Sequence, residues 1–73
     1  MMYAKVIVGL NQPEMDKLFD YRIPEGMAVE IGVRVIVPFG SRNKKAEGYV
    51  ISLSEKTEVP ADKIKELLEV LDE

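Results

Sequence analysis

The sequence predicts a mainly β fold, a small bent antiparallel sheet or barrel of OB or SH3 size, completed by one C-terminal α-helix. Three stretches carry that expectation. Val33 to Gly40 reads VRVIVPFG, in which five of eight residues are β-branched or aromatic, and it closes on a Pro-Phe-Gly corner that cannot continue a regular strand. Gly48 to Leu53 reads GYVISL and answers it across a polar loop, SRNKKAE, suited to a hairpin connection. Pro60 to Glu73 reads PADKIKELLEVLDE, the one segment with a helical period.

Taken in order, Tyr3 to Gly9 (YAKVIVG) is a first strand, with Val6 and Val8 on one face and Lys5 and Ile7 on the other. Its two-sided apolarity suits an inner strand. Leu10 to Leu18 carries Pro13 and is dense in polar residues, which reads as a loop with room for one helical turn from Glu14. Phe19 to Ile23 alternates, with Phe19, Tyr21 and Ile23 on one side and Asp20 and Arg22 on the other, the pattern of a half-buried strand. Pro24-Glu25-Gly26 supplies a turn. Val33 to Gly40 is the expected central strand, and Tyr49, Ile51 and Leu53 are expected to face Val33, Val35 and Val37 across the hairpin. Glu55 to Val59 is a charged connector. Pro60 then suits a first helical position, and Ile64, Leu67, Leu68 and Leu71 fall at i, i+3, i+4 and i+7, which predicts an apolar stripe against the sheet. On that helix Lys65 lies on the flank, roughly 110° from the stripe.

The chain of 73 residues is read as one domain, spanning 1–73, and chains of this size bury only about 60% of their unfolded surface. The absence of a glycine or asparagine cap behind Leu71 predicts a piece cut from a longer protein. With no cysteine and no histidine, disulfides, thiol nucleophiles, serine–histidine arrangements and the usual zinc sites are excluded, and no metal or other cofactor is expected. The lack of cysteine fits a reducing compartment, so the cytoplasm is the preferred location. The apolar run in MMYAKVIVGL is too short for a signal or membrane segment, and no membrane partner is expected. There is no phosphate-binding glycine loop and no nucleophile beside a base, so binding, and not catalysis, is the expected class.

A net charge of −3 argues against a nucleic-acid partner until its distribution is considered. Seven basic and six acidic residues lie before Glu55, whereas three basic and seven acidic lie from Glu55 onward, so the acidity belongs to the tail. Arg42, Lys44 and Lys45 cluster in the hairpin loop. They fit either a solvated tip or contacts to a DNA backbone.

The elements FDY-x-x-P-E-G, G-x-R-V-x-V-P-F-G and K-x-x-x-E-V-L-D occur here as FDYRIPEG, GVRVIVPFG and KELLEVLD, in that order. In these the chain resembles, from Ala4 to Asp72, the N-terminal 3′ DNA-binding domain of the primosomal replication-restart helicases (the primosomal protein N′ family). The resemblance implies a domain that holds the 3′ end of a nascent strand at stalled replication forks, with DNA as partner. It also implies a parent protein with winged-helix and ATP-driven helicase domains, which are further partner candidates together with other primosome proteins.

The same resemblance maps the pocket onto Phe19, Asp20, Gly40 and Lys65. Phe19 is suited equally to stacking on a base and to the core. Asp20 would be a solvated carboxylate in ordinary circumstances; next to a DNA end it can accept a hydrogen bond from a 3′ hydroxyl and penalise a continuing phosphate. Gly40 would let the nucleotide approach where a Cβ would not, or serve as a turn glycine alone. Lys65 would meet the nucleotide or its phosphate, aided by the helix N-terminus, or remain a solvated charge. The alternative function is an SH3-like protein-interaction module working through Phe39, Tyr49 and the hairpin without nucleic acid.

Overall fold

The alternating segments pair as antiparallel strands because each has one apolar face to bury. The computed structural model describes residues 1–8 and 17–71. Strands β1 (Tyr3–Val8), β2 (Lys17–Arg22), β3 (Arg34–Phe39) and β4 (Lys44–Ser54) stand side by side in the order β2-β1-β4-β3. Two short strands, β5 (Lys65–Glu66) and β6 (Glu69–Val70), extend this to a six-stranded sheet, with β5 parallel to β2 at one edge and β6 antiparallel to β3 at the other. Since β5 and β6 are separated only by Leu67 and Leu68, the two edges of the sheet are drawn together. The sheet is therefore curled into a half-barrel.

Two local features impose the curl. Lys5 faces Ser52 while the next residue, Val6, faces Val50, so Ile51 is the extra residue of a bulge in β4. At Gly48 a Cβ would sit 2.5 Å from the Ile7 carbonyl oxygen and 2.6 Å from Val6 Cγ1, so only glycine lets β4 approach β1 this closely. The concave side is filled by Ala4, Val6 and Val8 of β1, Tyr21 of β2, Val35 and Val37 of β3, Val50 of β4, and Leu67. Phe19, Phe39, Leu53 and Val70 pack around them. The Pro24 turn forms as expected, with Met27 N–H donating to the Pro24 carbonyl at 3.1 Å.

Three expectations are corrected. The first is the C-terminal helix: no helix occurs among the described residues, and none is long and apolar enough to cross a membrane. One turn forms at Pro60, where Lys63 and Ile64 N–H both donate to its carbonyl, and the chain then runs extended. The reason is the open edges of β2 and β3. Leu67 N–H donates to the Arg22 carbonyl (3.0 Å), Leu68 N–H to Ile36 (2.9 Å) and Leu71 N–H to Arg34 (2.8 Å). A helix would satisfy its own amides and leave those carbonyls bare, whereas an isolated helix of this length is marginal in water.

The second correction is register. Val35 faces Gly48 and Val37 faces Ala46, because β4 already begins at Lys44 behind a four-residue turn. Tyr49 and Ile51 accordingly lie on the exposed side. The third concerns position: β1 and β4 are central, β3 lies next to the edge, and Pro38 and Phe39 are still within it. The loop and helical turn expected around Glu14 lie outside the described residues.

The closing segment can be tested directly. Leu67 is 2% exposed and Leu68 is 47% exposed. Leu67→Ala is expected to lower the unfolding free energy by about 2 to 5 kcal/mol and Leu68→Ala to change it by no more than about 0.5 kcal/mol, measured by urea titration. A helical stripe would make the two substitutions comparably costly.

Candidate functional site

The half-barrel is not sealed along its whole seam. Among the described residues, β5 covers β2 at Tyr21 and Arg22 and leaves Lys17–Asp20 of that edge without a strand partner, and β6 covers β3 at Val35 and Ile36. Between the two uncovered stretches lies a groove of about 530 Å³. Phe19, Asp20, Gly40 and Lys65, the four residues mapped from the sequence, all line it. They come from β2, the β3–β4 turn and the closing segment.

The groove's apolar wall is an aromatic pair. Phe19 and Phe39 meet edge to face, with centroids 5.2 Å apart and planes at 80°, a geometry worth about 0.5 to 1.5 kcal/mol beyond area burial. Phe19 thus packs against the core and lines the groove at once. Beneath the pair, the Tyr21 hydroxyl donates to the Pro38 carbonyl at 3.0 Å and ties β2 to β3. Burial raises the Tyr21 hydroxyl from its usual 10.0 to about 12.

Asp20 alternates with Tyr21 along β2, an edge of the four-stranded sheet, and both residues line the groove. One carboxylate oxygen, Oδ2, accepts a hydrogen bond from Thr57 Oγ1 at 2.6 Å. The other, Oδ1, lies 3.7 Å from Nζ of Lys5, its direct cross-strand partner. Gly40 has φ +79°, which strongly favours glycine, and open space where a Cβ would be. Its carbonyl accepts from Asn43 N–H at 3.1 Å and from Lys65 Nζ at 2.7 Å, so Lys65 spans the groove mouth.

Lys65 is the first residue of β5, paired with Tyr21, and is not helped by a helix terminus. That expectation falls with the helix. Arg42, Lys44 and Lys45 are exposed along the hairpin next to Gly40 and outside the groove lining. Phe39 lines the groove whereas Tyr49, opposite Arg34, lies on the exposed face, so the residues of the protein-interaction alternative do not share a surface.

Sequence reasoning did not single out Lys5, Thr57 or Lys63. Lys5 was recoverable only from its register opposite Asp20; nothing in the connector marks Thr57. With Lys5, Lys63 and Lys65 around Asp20 and Glu58, the donor set suits an anion-bearing ligand better than a metal ion. An aromatic wall beside lysines suits a base and its phosphate.

An open groove of this composition, on the seam of a curled sheet, defines a small β-rich binding domain. Comparison with known sequences is specific about which kind. The profile of the 3′DNA-binding domain (3′BD) family matches residues 5–73, and the chain belongs to that family. It is 38% identical over 74 residues to the replication restart protein PriA of Bacillus subtilis, and 42% identical over 67 residues to that of Haemophilus influenzae. These alignments take in 99% and 92% of this chain but only 9% of each relative. The PriA of Synechocystis is 35% identical over 71 residues. By its family the domain is a DNA-binding one.

The tyrosine makes alkaline stability a test of the groove's base. Its folded pKa is raised above the unfolded value, so its contribution is complete below pH 10 and is lost as pH rises from about 10 towards 12. Thermal midpoints are expected to fall across that window by the equivalent of about 2 kcal/mol. In Tyr21→Phe that part of the decline is absent.

Proposed function

We propose that the chain binds the 3′ terminus of a DNA strand with little base preference, and that it does so in replication restart. In this reading the terminal base lies against Phe19, Gly40 forms the floor, and Lys65 meets the nucleotide or its phosphate. The Asp20 carboxylate accepts the 3′ hydroxyl. A strand that continues, or ends in phosphate, brings a negative charge against that carboxylate and is disfavoured.

What supports the reading is the convergence on one open groove of the four residues that match the family's motifs. In this reading the exposed hairpin cations Arg42, Lys44 and Lys45, next to Gly40 in the chain, meet the backbone of the strand as it leaves. The whole chain is then one end-binding domain, 1–73, of a longer cytoplasmic protein with an ATP-driven helicase motor, whose other domains and primosome proteins are its further partners.

Fluorescence titration with oligonucleotides ending in a 3′ hydroxyl or a 3′ phosphate tests this. Tighter binding of the hydroxyl end is expected, and Asp20→Ala is expected to erase the difference; equal affinities in the unaltered chain would remove end recognition. Few phosphates are contacted, so the salt dependence should be shallow, and replacing Arg42, Lys44 and Lys45 together by Ala should flatten it further while leaving the hydroxyl preference in place.

A further inference from the structure

We infer that Thr57 is a positioning residue of this groove: its hydroxyl holds Asp20 so that one carboxylate oxygen, Oδ1, is presented to the strand end. The inference rests on the end-binding reading above and adds a residue to it from a connector that contains no motif.

The direction of the Thr57 hydrogen bond is fixed by its neighbours. Thr57 Oγ1 accepts the Val59 N–H at 3.2 Å, within a local turn, so its single proton is available to point elsewhere. It points at Asp20 Oδ2, at 2.6 Å, the short distance of a hydroxyl bonded to a charged oxygen. The Asp20 side chain is 18% exposed. With Oδ2 engaged, the oxygen left for a ligand is Oδ1, whose neighbour among the described residues is Lys5 Nζ at 3.7 Å, beyond hydrogen-bond distance.

An aspartate without such a partner has a broad, two-fold torsion at its carboxylate. Its two oxygens then exchange, and the group offers a hydroxyl donor no fixed direction. Thr57 removes that freedom before the ligand arrives, which is the general route by which preorganisation improves binding. It matters more here because Lys5 attracts a terminal phosphate, and exclusion of that phosphate depends on the carboxylate standing between.

The test uses the full chain with Thr57→Val, which keeps the shape and removes the hydroxyl, and with Thr57→Ser, which restores it. The readout is the ratio of affinities for oligonucleotides ending in 3′ hydroxyl and 3′ phosphate. Any misfolded fraction lowers both affinities alike and cancels in the ratio. Thr57→Val is expected to reduce the hydroxyl preference by about threefold to tenfold, the range of one lost hydrogen bond, mainly through weaker binding of the hydroxyl end, and Thr57→Ser to recover it. If the unaltered chain prefers the hydroxyl end and Thr57→Val keeps that preference, the role of Thr57 is overturned while end recognition stands. Thr57→Ser behaving like Thr57→Val also overturns it. An unaltered chain with no preference overturns end recognition, and this inference with it.

Discussion

A four-stranded sheet of this size has two open edges, and the fold depends on how they are closed. The backbone amides of Leu67, Leu68 and Leu71 reach the carbonyls of Arg22 on one edge and of Ile36 and Arg34 on the other, while the Leu67 side chain enters the core. One stretch of a few residues therefore satisfies exposed backbone on both sides and fills the space between them. The exposed ion pair of Arg22 with Glu66, at 3.0 Å, adds little to this, since such pairs are worth about 0 to 1 kcal/mol.

The groove is a by-product of incomplete closure. Where the segment covers β2 and β3 the seam is sealed; beyond the covered residues, one position along β2 and four along β3, Asp20 and Gly40 border an opening that Lys65 spans. Placing a carboxylate and lysines there, and not in the core, keeps their charges partly hydrated and spares the protein the desolvation penalty of burying them. The aromatic pair supplies the apolar wall without a second core.

Strand faces were legible in the sequence for β1, β2 and β3. The alternation of Val6 with Val8, of Phe19 with Tyr21, and of Val35 with Val37 assigns each to the concave side that the structure gives it. The four mapped residues were legible through motifs, and their spacing in the chain bears no relation to their closeness in space. The C-terminal segment was not. Ile64, Leu67, Leu68 and Leu71 satisfy a helical period, and what makes the segment extended lies some 30 to 45 residues away, in the unmet carbonyls of Arg22, Arg34 and Ile36. The register of β4 was hidden for a related reason: the bulge at Ile51 and the early start at Lys44 shift the inward set to Gly48 and Val50. Thr57 lies in a connector without period or motif, and only the folded chain brings it to Asp20.

That the groove borrows a wall from the closing segment makes two equilibria one. Lys63, Ile64 and Lys65 leave with the segment if it detaches, so a chain with its seam undone has no groove left to fill. Any strand end held there stabilises the closed state by the free energy of its own binding. In hydrogen exchange the amides of Leu67 and Leu68, the seam's own fastenings, would report occupancy of the groove, although neither residue lines it.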